Sequence, residues 1–129
     1  MKFFLQIHAR PGQAFSQSFD GLVQLFRNMH GMYVEMDGSF VWIDRETHPH
    51  SQMDGMVYDR NGLLEYVEVK GDFSQKQWWS LCQAIGQSAH TEFEIVSDEQ
   101  LDALMRVHRT LTGDWATVCQ ITELIAAPL

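Results

Sequence analysis

The stretch MDGMVYDRNGLLEYVEVKGD, Met53 to Asp72, decides the fold because two alternating runs flank a turn signal. Apolar and polar residues alternate on both sides of the Asn-Gly pair, as they do in strands with one buried face. The period of two places Glu68, Lys70 and Asp72 on one face of the second strand. We therefore predict a β-hairpin whose register decides which residues of the first strand share that face.

Two turn types compete between Asp59 and Gly62. A two-residue loop at the Asn-Gly pair points Asp54 away from Glu68. A three-residue loop, in which a type I turn ends in a glycine bulge, pairs Asp59 with Leu63 and sets Asp54 opposite Glu68. We favour the three-residue loop because aspartate suits the first position of its turn and glycine suits the fourth.

The favoured register predicts a cation site. Two facing carboxylates destabilise a strand pair unless positive charge lies between them, and Lys70 lies on the same face. Hard cations such as Mg²⁺ bind carboxylate oxygens, and the backbone carbonyl of Val69 is a further candidate ligand. The geometry predicts an open metal site formed by Asp54 and Glu68 beside an ammonium group. In the alternative interpretation, the three charged residues form a structural ion cluster on a solvated strand.

Composition limits the function classes. A chain of 129 residues with 45% hydrophobic residues predicts a single domain, residues 1–129, with a core of its own. Seventeen acidic residues against nine Lys and Arg give a net charge of −8, which disfavours generic duplex binding. No apolar run is long enough for a membrane span. We expect Cys82 and Cys119 to be small core residues rather than parts of a disulfide framework. We also expect a cytoplasmic protein.

Periodicity and capping signals predict an α+β fold with a mainly antiparallel mixed sheet flanked by helices. Two S-x-x-Q capping boxes, Ser74–Gln77 and Ser97–Gln100, each predict the start of a helix. Asp37-Gly38 predicts a hairpin. The remaining predicted elements are a strand at Phe3–His8, a helix at Phe19–His30, a strand at Thr91–Ser97 and a last helix at Asp114–Ala126.

The hairpin residues resemble the PD-(D/E)xK nuclease superfamily, in which an Asp on one strand and E-x-K on the next bind a metal. The downstream sequence KGDFSQKQWWSLCQAIG is similar to the VRR-NUC branch. There, E-x-K-G precedes an Asp, a Ser that begins a helix, a Gln one turn later, an aromatic residue and a Gly. The corresponding residues are Glu68, Lys70, Gly71, Asp72, Ser74, Gln77, Trp78 or Trp79, and Gly86. The resemblance covers about residues 52–96, and Met53 stands where the motif has proline.

The resemblance implies a restriction-endonuclease-like core and phosphodiester hydrolysis that depends on Mg²⁺ or Mn²⁺. Asp54 and Glu68 would be metal ligands, and Lys70 would orient water or stabilise developing charge. Gln77 would position Lys70 or the substrate, which would be DNA or RNA bound weakly or only in certain structures. Glu35 and Asp72 are additional acidic candidates for the site. The residues available to contact substrate phosphates are Lys76, Arg60 and Arg45.

Two other interpretations stay open. His48 and His50 lie in a loop that suits either Zn²⁺ binding or plain solvation. The rival function class is a non-enzymatic α+β module that binds a protein partner, which the eight Phe, four Trp and seven Met residues favour. Trp78-Trp79 fits base stacking or core packing.

Overall fold

The computed structural model describes residues 3–9, 12–47, 50–86, 93–101 and 104–110, together with Trp115 and Cys119, and for residues 93–110 it describes the backbone. Within these residues the chain forms seven strands and two helices. In chain order they are β1 (Phe3–Ala9), α1 (Phe19–Arg27), β2 (Met32–Val34), β3 (Ser39–Asp44), β4 (Ser51–Arg60), β5 (Leu63–Asp72), α2 (Gln75–Gly86), β6 (Phe93–Leu101) and β7 (Leu104–Thr110).

The strands form one sheet in the order β2-β3-β4-β5-β1-β6-β7. Five strands, from β2 to β1, make its body, and β6 and β7 extend it beyond β1. Every pairing between the described strands is antiparallel, so the predicted α+β class is confirmed but the mixed sheet is not seen there. A restriction-endonuclease-like core is not confirmed. No helix in the described part of the chain is long and apolar enough to cross a lipid bilayer.

The core lies between the sheet and the two helices. Alternate residues of β1, β4 and β5 point into it, and those of the central hairpin include Met53, Val57, Val67 and Val69, all buried. The helices contribute their own buried residues, which are Leu22, Val23 and Phe26 from α1 and Trp78, Leu81 and Ile85 from α2. Each fully buried aliphatic side chain contributes about 1.5–3 kcal/mol, so this layer fixes which face of the sheet the helices cover.

Side-chain caps start both helices. Ser18 Oγ accepts a hydrogen bond from the Gly21 N–H at 2.9 Å, and α1 ends at Arg27 rather than at the predicted His30. In α2 the predicted capping box is confirmed. The Gln77 N–H donates to Ser74 Oγ at 3.1 Å, and the Ser74 N–H donates to Gln77 Oε1 at 3.1 Å.

The prediction that Ser97–Gln100 starts a helix is wrong, because these residues lie in β6. A capping box satisfies only two backbone donors, whereas Ser97 pairs with Leu5 of β1 on one side and with His108 of β7 on the other. The pairing therefore outweighs the local signal. The predicted helix Asp114–Ala126 lies outside the described residues except for Trp115 and Cys119, which are helical.

Candidate functional site

The register of the β4–β5 hairpin differs from the predicted one. Asn61 and Gly62 have φ values of 55° and 84°, so they form a two-residue turn. An irregularity between Tyr58 and Asp59 then shifts the pairing, and Asp54 lies opposite Lys70. The predicted pairing of Asp54 with Glu68 is therefore wrong. The chain forms the two-residue loop, and a bulge then shifts the strand pairing by one more residue.

The shift equals two residues, so the three charged side chains stay on one face. Glu68 lies opposite Met56, and Asp54 lies opposite Lys70. Directly opposite Cβ atoms are about 4.5–5.5 Å apart, whereas the diagonal separation that relates Asp54 to Glu68 is about 7–8 Å. Among the described residues, no ion pair joins Lys70 to either acid. The structure thus brings Asp54, Glu68 and Lys70 together as neighbours on the face of the sheet opposite the core and the two described helices. We call this face the open face.

Each of the two acids accepts a hydrogen bond from a neighbouring amide. Gln6 Nε2 donates to Glu68 Oε2 at 3.2 Å, and Gln52 Nε2 donates to Asp54 Oδ1 at 3.0 Å. His8 Nε2 lies 3.0 Å from Gln6 Oε1, and because that oxygen only accepts, the His8 proton belongs on Nε2. The chain His8–Gln6–Glu68 fixes these side chains across β1 and β5.

Three rings stack across the same face on neighbouring strands. Tyr58 of β4 and Tyr66 of β5 have centroids 4.4 Å apart with an interplanar angle of 18°. His8 of β1 stacks on the other side of Tyr66 at 4.8 Å and 17°. Burial raises the pKa of Tyr66, with further contributions from Tyr58, Glu68 and Glu65, so its hydroxyl stays protonated at neutral pH. We call these three rings the aromatic ladder.

Sequence reasoning missed the aromatic ladder. The alternation places Tyr66 on the face of Glu68, but Tyr58 lies directly opposite Tyr66 only in the observed register. His8 reaches Tyr66 because β1 pairs with β5, an adjacency between distant segments that no local signal predicts.

Gln77 does not lie beside Lys70, which corrects its expected role. Its side chain is 1% exposed in the core layer, on the face of the sheet that α2 covers. There its Nε2 donates to the Trp42 carbonyl at 3.1 Å. The sheet separates it from Lys70, so Gln77 holds α2 on β3 rather than orienting the lysine.

The other predicted site residues are dispersed. The Val69 side chain is buried, and its backbone lies between Leu5 of β1 and Gly55 of β4, inside the sheet. Glu35 is exposed in the turn between β2 and β3, and Asp72 is exposed at the end of β5 opposite Gln52.

The basic residues lie away from Lys70. Arg60 pairs with Glu65 at 3.5 Å at the turn end of the hairpin, and Lys76 pairs with Glu46 at 3.6 Å in the first turn of α2. Arg60 lies six positions along β4 from Asp54, a separation of about 20 Å at strand spacing. Arg45 is exposed in the turn after β3.

Within the described residues, no group of three or more His, Cys, Asp or Glu side chains is placed to hold a metal ion. For the suggested zinc loop, His50 is exposed and His48 lies outside the described residues. Comparison of the sequence with protein-family models, curated proteins and solved structures finds no match in any of the three. The resemblance to the VRR-NUC branch therefore rests on the sequence motif alone.

Proposed function

We propose that this chain is a non-catalytic interaction module that binds a partner protein through the open face of its sheet. The observation that carries the proposal is the aromatic ladder on a face that neither helix covers. Both helices pack on the opposite face, and so does Trp115, which contacts Phe3 and Phe73 of the core layer.

The chemistry of the open face suits a protein partner. Tyrosine and methionine are enriched in protein interfaces, and here Tyr58, Tyr66 and Met56 lie together at its centre, all half-buried. Tyrosine offers a large contact area with few rotatable bonds, and the stacking already orders these rings, so little side-chain entropy remains to be lost on binding. Asp54 and Lys70 lie on the same face, four positions along the strands from Tyr58 and Tyr66, and add charges of both signs that favour one partner over others.

The experiment compares two Lys substitutions in the tagged chain, followed by cross-linking and purification from the cells that produce it. Met56→Lys introduces a charge at the centre of the open face, opposite Glu68, where the sheet tolerates it. Trp79→Lys is the matched control on α2, where Trp79 is 57% exposed. The wild type and the Trp79→Lys variant should recover the same partner, and Met56→Lys should lose it. Recovery of that partner by Met56→Lys at the level of the control would refute the proposal.

A second candidate is phosphodiester hydrolysis of DNA or RNA with Mg²⁺ or Mn²⁺. The observation in its favour is that Asp54, Glu68 and Lys70 share the open face. Two carboxylates fit only an open site in which water or substrate supplies most ligands, as Mg²⁺ accepts. A bound metal would supply charge stabilisation and an activated water. Lys70 would orient an anionic group there without help from Gln77, which lies on the other face.

The metal candidate has its own test. Mn²⁺ or Mg²⁺ should raise the melting temperature of the wild type, and Asp54→Asn or Glu68→Gln should remove the rise. Cleavage of single-stranded, flap and junction DNA with Mn²⁺, measured against Lys70→Ala, tests for catalysis. An equal metal response in wild type and variants would eliminate this candidate and leave the interaction module untouched.

A further inference from the structure

A pocket of about 410 Å³ opens on the helix side of the sheet, away from the open face. It lies where the end of α1, the end of β3 and the first two turns of α2 meet. Its apolar surface includes Met29, Trp42 and Ile43, and its polar groups include His30, Asp44, Glu46, Lys76 and Ser80. Its volume falls in the range of about 300–1,000 Å³ that is typical of small-molecule sites.

Side-chain hydrogen bonds hold the apolar floor of the pocket in place. Trp42 Nε1 donates to the His30 carbonyl at 3.0 Å, which joins β3 to the segment after α1. Gln77 Nε2 donates to the Trp42 carbonyl at 3.1 Å, which joins β3 to α2. In the described part of the chain, no buried side-chain nitrogen or oxygen lacks a hydrogen-bond partner. The three elements are therefore fixed relative to one another before any ligand binds.

The rim of the pocket carries both signs of charge. Lys76 Nζ lies 3.6 Å from Glu46 Oε2, and these side chains are 75% and 79% exposed, respectively. Asp44 adds a second carboxylate, and its Oδ1 accepts a hydrogen bond from the Glu46 N–H at 3.0 Å. An ion pair this exposed contributes little to stability, so a ligand that brings opposite charges of its own can replace it at small cost.

The charges at the rim of the pocket determine which class of ligand can bind. A simple anion would pair with Lys76 but would meet Asp44 and Glu46, and a simple cation would meet Lys76. A zwitterion with an apolar side chain can pair with both sets of charges and also pack against the apolar floor. Ser80 lies four residues after Lys76 on the same side of α2 and offers a hydroxyl donor to a carboxylate beside that lysine.

We propose that this pocket binds a small zwitterion of the class of free apolar α-amino acids. Its ammonium group contacts Glu46 and Asp44, and its carboxylate contacts Lys76 and the Ser80 hydroxyl. Its apolar side chain packs on Met29 and Trp42. The site lies on the helix side of the sheet and needs neither the open face nor a metal, so it stands apart from the proposed function.

The first test uses calorimetric titration of the whole chain with L-leucine and two analogues that each lack one charge. Isocaproate lacks the ammonium group, and isopentylamine lacks the carboxylate. L-leucine should bind, and each analogue should bind up to about fivefold more weakly, since an exposed charge contact contributes up to that factor. No binding of L-leucine up to about 10 mM would overturn the proposal, and so would equal binding of either analogue.

Variants then locate the site. Lys76→Gln and Glu46→Gln should each weaken L-leucine binding by about fivefold. Glu65→Gln is the matched control, because Glu65 pairs with Arg60 at 3.5 Å in a similar surface ion pair far from the pocket. Its affinity for L-leucine should equal that of the wild type. Unchanged affinity in both pocket variants would overturn the assignment.

Discussion

Replacement of Gln77 by methionine tests whether this residue is structural, as its buried position indicates. Methionine keeps the length of the side chain but removes two hydrogen bonds, one to the Trp42 carbonyl and one from the Ser74 N–H, each 3.1 Å long. The Gln77 backbone N–H still donates to Ser74 Oγ, so half of the capping box survives. Each lost bond costs about 1 kcal/mol, and the Trp42 carbonyl keeps its place in the β3–β4 ladder, where Trp42 lies opposite Met53.

The free energy of unfolding of Gln77→Met should therefore fall by about 2 kcal/mol. In urea denaturation followed by circular dichroism, the midpoint should drop by about 1 M for a slope of about 2 kcal/mol per molar. Gln75→Met is the control, because Gln75 is exposed one position before Lys76 on the same helix. That variant should stay within about 0.5 kcal/mol of the wild type. A Gln77→Met midpoint equal to that of the control would refute the structural role.

Three further predictions concern glycines and a thiol. Gly55→Ala should destabilise the fold by about 2–3 kcal/mol in the same assay, since the new Cβ would clash with the Phe40 ring and lie 2.6 Å from the Glu68 carbonyl oxygen. Gly62→Ala meets no atom within 4 Å but has a φ of +84°, so its cost should be about 1 kcal/mol, and a cost equal to that of Gly55→Ala would contradict the steric reasoning. Burial raises the pKa of the Cys82 thiol from 9.0 to about 12, so the folded chain keeps the proton that the unfolded chain loses. The free energy of unfolding should therefore fall as pH rises from about 9 towards 12, and Cys82→Ala should remove that part of the fall; an identical pH profile in the variant would show that Cys82 does not cause it.

The sequence predicts which residues share a face of the hairpin better than it predicts which residues are opposite each other. Side chains alternate with a period of two, so a register error of two residues still leaves Asp54, Glu68 and Lys70 on one face of the sheet. The bulge opposite Tyr58 and Asp59, where Glu65 is the extra residue of β5, depends on how β4 and β5 twist within the whole sheet, which the turn residues alone do not encode.

The two capping boxes show the same limit. Ser74–Gln77 begins a helix because Trp78, Leu81 and Ile85 behind it bury an apolar stripe against the sheet. Ser97–Gln100 has the same local form, yet it lies in β6 between two paired strands. Local hydrogen-bonding signals therefore predict structure only where the long-range packing agrees with them.

The position of Gln77 also depends on long-range structure. The motif places it one turn into a helix after E-x-K, and the structure confirms that placement. Which face of the sheet the helix covers follows from the buried side chains of β1, β4 and β5 together. That choice sets Gln77 in the core and leaves Lys70 on the open face, so the local motif could not reveal their separation.

Hydroxyl-radical footprinting of the isolated chain and of its purified complex measures the central claim most directly. Oxidation of Met56, at the centre of the open face, should slow markedly in the complex. Oxidation of Trp79, on the far side of the molecule, should proceed at the same rate in both states. Protection of Trp79 with unchanged oxidation of Met56 would contradict binding through the open face.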